Sequence, residues 1–229
     1  MARNNYGFIR TEYSFTSGSG ELASDRYINE YKIRIYLDEV RELGEEIREE
    51  AIEIGRASVS LFLLELGMNN EFPRFEIFDH SSEYLNLYEQ IFTEQGEYIK
   101  PIQDYSEEIH YNLLYIRQLE LLPEWRGRGI GQKVLKDIIW RFEGCCGLVV
   151  LNAFPLQLQP GLPESTNLWT QQLLLSSLTS NAKVAQQKLN AFYKSVGFKR
   201  VPKSNLHFLS RESDNPELAQ IRLDEEEQL

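Results

Sequence analysis

Apolar and polar positions first alternate regularly at Tyr31, Ile33, Ile35 and Leu37, interleaved with Lys32, Arg34 and Tyr36, which is the period of a half-buried strand. A second strand is predicted over Ala57 to Leu64. Between them, Val40, Leu43, Ile47 and Ile54 recur at roughly helical spacing among acidic residues, so this stretch reads as a solvated helix. Phe75 to Phe92 is predicted as one helix, with Ser81 or Ser82 near a cap and Tyr84, Leu85, Leu87, Tyr88, Ile91 and Phe92 inside. His110 to Leu122, rich in Tyr, Leu and Ile, reads as a strand that stops at Pro123. A helix with Ile130, Val134, Leu135, Ile138, Ile139 and Phe142 on one face leads to a strand at Leu148 to Ala153. Strand, helix and strand in that order are the crossover of a parallel pair, so the class is α/β. Residues 155–181 read as an insertion, Lys183 to Val196 as a helix stopped by Gly197, and Phe198 to Val201 and Leu206 to Ser210 as short strands. Residues 1–25 show no sustained period and read as a flexible leader.

The chain has 229 residues, enough for one domain with a sizeable core, and its 42% hydrophobic and 26% charged residues are those of a chain that folds. Its formal charge of -11 argues against a nucleic-acid-coating surface or an anionic membrane as partner. The charge is concentrated. Asp38 to Glu53 holds eight acids against two arginines, and the tail 212–229 holds seven acids against Arg222. The rest of the chain is close to neutral and can hold a local anion site. Cys145 and Cys146 are adjacent, a spacing that does not make a disulfide framework, and they read as packing residues. No apolar run approaches the about 20 residues of a membrane span, and no secretory signal opens the chain, so a cytoplasmic location is expected.

Local chemistry concentrates at Arg126-Gly127-Arg128-Gly129-Ile130-Gly131, between the central strand and the following helix. Glycines let backbone amides approach a ligand closely, and a helix start offers unsatisfied donors and a partial positive charge, a combination suited to phosphate oxygens. Arg126, Arg128, Lys133 and Lys136 add positive charge, with no acid among residues 126–136. The run lacks the Gly-Lys-Ser/Thr ending of a nucleotide P-loop and the glycine spacing of a dinucleotide fingerprint.

The same run matches the Arg/Gln-x-x-Gly-x-Gly signature of the GNAT superfamily of N-acetyltransferases at Arg126, Gly129 and Gly131. Tyr193 and Gly197-Phe198 resemble that superfamily's Tyr-x-x-x-Gly-Phe segment, so the likeness spans roughly residues 110–210. The resemblance implies a mixed central β-sheet flanked by helices, in a domain of residues 26–211 followed by an acidic tail at 212–229. It implies that Arg126 and the amides of Gly127, Arg128, Gly129, Ile130 and Gly131 hold the pyrophosphate of acetyl-CoA. It further implies that the strand carrying Leu119 and Leu121 pairs with the pantetheine arm and splays from the 148–153 strand. Tyr193 takes the position of the proton donor to the departing thiolate, a role that a phenol with reference pKa about 10 fills without tuning.

No motif fixes a general base; Glu108, His110 and Glu120 read as ordinary strand or surface residues. Seven residues before Tyr193, where superfamily members often carry Asn, stands Gln186. Acceptor specificity is expected in the segment before His110 and in the 155–181 insertion, where Trp169 is a lid, a partner surface or buried core. His80 and His207 have no metal-ligand company, so no metal is expected. The leading expectation is acetyl transfer to a primary amine, small-molecule or protein and cationic, drawn in by the acidic 38–53 stretch. The competing class is a non-catalytic module of the same fold acting through CoA or protein contact. An RNA-directed acetyltransferase would need a basic docking face, against which the composition speaks.

Overall fold

The structure, a computed structural model, describes residues 5–16, 22–43, 46–105, 112–211, 214–223 and 227–228. Eight strands form one sheet: β1 (Asn5–Thr16), β2 (Ile28–Leu43), β3 (Glu46–Phe62), β4 (Leu113–Leu121), β5 (Leu148–Asn152), β6 (Lys199–Arg200), β7 (Leu206–Ser210) and β8 (Glu227–Gln228). Their order is β6-β7-β5-β4-β3-β2-β1-β8. Every pairing is antiparallel except β4 with β5, as the strand–helix–strand reading required. The helices are α1 (Leu64–Asn69), α2 (Arg74–Phe78), α3 (Ser82–Ile91), α4 (Lys100–Gln103), α5 (Ile130–Arg141), α6 (Leu168–Gln172), α7 (Ala182–Lys194) and α8 (Pro216–Gln220).

Alternation along the strands loads both faces of the sheet. Ile33, Ile35, Leu37, Val59, Leu114, Ile116, Val149 and Leu151 pack against Val134, Leu135, Ile138 and Ile139 of α5 and Phe192 and Tyr193 of α7. Phe62, Leu113, Tyr115, Leu148, Val150 and Phe208 pack against Ile77, Phe78, Tyr84, Leu87 and Ile91 of α2 and α3. Helices therefore cover the sheet on both sides, and any path between its strands is reached from two directions.

Three sequence readings are corrected. The acidic stretch is not a helix: β2 and β3 pair from Ile28↔Phe62 to Leu43↔Glu46, so Glu39↔Glu50 and Glu42↔Ile47 oppose each other as extended backbone. Strand pairing overrides a helical apolar spacing with no helix partner to pack on. The leader is not loose over residues 5–16. It is β1, whose Thr11 and Tyr13 hydroxyls donate to Asp137 Oδ2 of α5 at 2.8 and 2.9 Å. The helix expected over Phe75 to Phe92 is two, α2 and α3, because Ser81 caps the second by accepting the Tyr84 amide at 3.2 Å. Among the described residues, no helix is long and apolar enough to cross a membrane.

Candidate functional site

Between β4 and α5 the chain turns through two residues that need left-handed backbone, Gly127 (φ 74°) and Gly129 (φ 81°). A side chain at Gly127 would meet nothing within 4 Å, so this stretch of backbone is bare to an approaching ligand. Among the described residues, none of the amides of residues 127–131 donates to another backbone carbonyl. The turn thus presents consecutive donors at the start of the 12-residue α5, whose dipole adds to them. Gly131 serves a different purpose: its Cα side lies against Phe192, where an added Cβ would come to 3.1 Å of the ring. Together with Gln132 Nε2, which donates to Ser195 Oγ at 2.8 Å, this seats the end of α7 beside the turn.

The positive charges are less focused than their spacing implied. Arg126 is half-buried and donates to the carbonyls of Leu121 (2.8 Å) and Leu173 (2.7 Å), and desolvation lowers its pKa. Lys136 donates to the carbonyls of Ala219 and Ile221 near the end of α8. Arg128 is exposed, its guanidinium 5.0 Å from the Trp125 ring centre.

β4 and β5 pair only from Leu113↔Leu148 to Ile116↔Leu151. Beyond that point β5 ends at Asn152, while β4 runs on to Leu121 paired with β3 alone. The edge of β4 facing β5 is therefore open over residues 117–121, and Leu119 and Leu121 on it are half-buried against the α5 and α7 side. At the parting point β4 carries an extra residue: Ser58 opposes Gln118, Val59 opposes Ile116, and Arg117 has no partner. This is the splayed parallel pair that the resemblance to the GNAT superfamily implied. No protein-family model matches the chain, and no curated protein is significantly similar to it. Two solved structures are similar to it: one titled as a KacTA–DNA complex, 12% identical with TM-score 0.34 over 88% of this chain and 92% of that chain, and one of a Tyr-to-Phe mutant of KacT, 13% identical with TM-score 0.37 over 89% and 95%.

Tyr193 packs on the α7 side of the sheet, against β7. Its ring packs on Phe192 (5.1 Å between centres), Phe198 (6.0 Å) and His207 (5.7 Å), and His207 is the register partner of Leu151, the last β5 residue paired to β4. Burial pushes the Tyr193 phenol up to about 12, so it holds its proton throughout the neutral range. His207 is buried and its Nδ1 donates to the Asn205 carbonyl at 2.9 Å; burial lowers its pKa. Gln186 turns inward, donating to the carbonyl of Ala153 at 2.8 Å and to Asn190 Oδ1 at 2.9 Å, which ties α7 to the end of β5.

On the opposite face at the same level, Arg117 pairs with Glu83 of α3 (2.7 Å) and Glu30 of β2 (3.1 Å) and stands over the Tyr84 ring. The Tyr84 hydroxyl donates to Glu30 and shares a hydrogen bond with Ser60 Oγ at 2.8 Å. Burial, followed by the nearby Glu83, raises the Tyr115 phenol. None of Arg117, Glu83 and Glu30 is distinguishable in the sequence: an acid in the first turn of a helix and one on a strand are routine, and the bulge that brings Arg117 to them is invisible without the partner strand.

Glu120 lies three residues past Arg117, toward the turn. Its carboxylate accepts from Trp169 Nε1 (2.7 Å) and Gln118 Nε2 (2.6 Å), and Arg56 stacks 4.0 Å from the Trp169 ring centre. Burial raises its pKa against these partners. Trp169 is thus core of the insertion, packed with Leu173 and Leu175 onto Leu122, rather than a free lid. Cys145 is exposed and Cys146 is buried, its thiol pushed up to about 12 by burial; neither forms a disulfide. His80 meets Asp25 at 3.3 Å. Glu108 and His110 lie outside the described residues, among which no group of three His, Cys, Asp or Glu could hold a metal. A groove of about 870 Å³ runs along β6 and β7, lined by Lys100, Tyr105, Lys199, His207, Asp214 and Glu217, on the far side of β5 from the open β4 edge.

Proposed function

We propose that the protein is an acetyl-CoA-dependent N-acetyltransferase acting on a primary amine. The observation that carries this reading is the parallel pair that parts at Ile116 and Leu151, with a bare glycine turn at one end of the open edge. The amides of residues 127–131 are suited to the pyrophosphate, and the edge of β4 over residues 117–121, with Leu119 and Leu121, to the pantetheine arm. The bound thioester supplies an activated acetyl group. Tyr193 gives its phenolic proton to the leaving sulfur as the carbon–sulfur bond breaks and the carbon–nitrogen bond forms; the amine's surplus proton passes to water, from which the phenolate recovers its own. Calorimetric titration with acetyl-CoA tests the reading, and no heat at high micromolar ligand overturns it.

The inward turn of Gln186 and the engagement of Arg126 with two carbonyls favour a second reading, a CoA-binding module that works by contact. Free-thiol release with a panel of amines separates the two: repeated absence of release despite confirmed binding selects the module.

A further inference from the structure

The chain leaves α7 through Gly197, whose φ of 94° is left-handed, and the turn there closes on Tyr193 itself. The Phe198 amide donates to the Tyr193 carbonyl at 3.1 Å and the Gly197 amide to the Lys194 carbonyl at 2.9 Å, the paired bonds of a left-handed helix cap. The Tyr193 ring packs edge-on to Phe198 across it. Onto this cap folds a segment that lies beyond the GNAT resemblance. A Cβ on Gly197 would run into Oδ1, Nδ2 and Cγ of Asn215, so the Asn215 amide lies flat on the glycine, where any other residue would carry its side chain. Asn215 is itself held in place. Its Oδ1 accepts the Leu218 amide at 2.9 Å as the cap of α8, and Leu218 is buried in the same core as the apolar face of α5. Lys136 of α5 donates to the Ala219 and Ile221 carbonyls near the other end of α8. Ser195, two residues before the glycine, accepts from Gln132 of α5. The last turn of α7 is therefore tied to the body of the protein through Asn215 and Gln132, and the aim of the Tyr193 hydroxyl depends on both.

We infer that Asn215 is a positioning residue for Tyr193, its amide clamping the left-handed cap that fixes the end of α7. For turnover this rests on the acyltransferase reading; for the placement of the ring it stands on the contact alone. Two variants of the full chain separate positioning from stability. They are read by melting temperature, by thiol release from acetyl-CoA with a panel of amines, and by NMR of protein labelled at tyrosine Cζ, with Tyr193→Phe assigning the Tyr193 signal. Asn215→Ser keeps an oxygen for the Leu218 amide, a cap as good as asparagine, but lacks the flat amide that covers Gly197. It should hold the melting temperature, move the Tyr193 signal and lower kcat about 10- to 100-fold, with the KM for acetyl-CoA unchanged. Asn215→Asp keeps both the cap and the flat shape, and should return kcat and signal to those of the parent. An unchanged kcat and an unmoved signal in Asn215→Ser overturn the clamp and leave acetyl transfer standing. A loss of kcat that follows a fall in melting temperature, and that Asn215→Asp does not restore, also overturns it, in favour of plain stability. If the parent releases no thiol with any amine, acetyl transfer falls and the signal decides: moved by Asn215→Ser and not by Asn215→Asp, the clamp stands; unmoved by both, it falls too.

Discussion

Tyr193 and Gly129 carry the clearest consequences of single side chains. Tyr193→Phe keeps the ring contacts with Phe192, Phe198 and His207 and removes the proton, so kcat should fall about 100-fold or more while acetyl-CoA affinity in calorimetry stays unchanged. A phenol raised to about 12 in the folded protein, against about 10 unfolded, contributes stability that is present below pH 10 and lost as pH rises toward 12. Thermal melts across that window should therefore fall less steeply for Tyr193→Phe than for the parent. Gly129 sits at φ 81°, where an L-residue costs about 1–2 kcal/mol. Gly129→Ala should lower the melting temperature by about 2–8 °C and weaken acetyl-CoA binding, both measurable on one preparation.

Among the elements, the insertion is tied to β4 by a buried carboxylate. Burial raises Glu120, so its ionisation weighs against folding: the stability it contributes is full below its ordinary carboxylate range and lost as pH rises through its raised value. Glu120→Gln keeps an acceptor for Trp169 Nε1 and removes the charge, so its melting temperature should lose its dependence on pH above about 4.5 relative to the parent. Which elements the sequence discloses follows from how local their causes are. β4, β5 and the glycine turn are legible because apolar runs, Pro123 and glycines act within a few residues. β1 and the outer halves of β2 and β3 are not, because what makes them strands is pairing with each other, and Arg10 meeting Asp38 across 28 positions leaves no local mark. Tyr193 and residues 127–131 announce themselves by spacing; Gly197 and Asn215 become neighbours only when α8 folds back onto the end of α7.

For the whole molecule, the register of β3 against β4 moves the acidic hairpin away from the place expected for it. Gly55 is level with Leu121, so residues 46–53 extend past the end of β4 toward the glycine turn, while the carboxylates level with the parting point are Glu30 and Glu83. Glu50→Gln should accordingly leave the KM for an amine unchanged. Because Arg126 and Lys136 are spent on carbonyls, acetyl-CoA affinity should fall with salt less steeply than four free cations would make it, read as the slope of affinity against ionic strength. The unpaired Arg117 sets which residue meets which layer. Counting by twos from Leu114 and Ile116 lands on Gln118, yet Leu119 and Leu121 are the ones that pack under α5 and α7. The surplus residue changes the parity of everything after it, so one strand serves as two half-strands of opposite phase. Deleting Arg117 alone would join the two half-strands in a single phase, keep Leu119 and Leu121 in line with Leu114 and Ile116, and cost only the cation that Glu83 and Glu30 share.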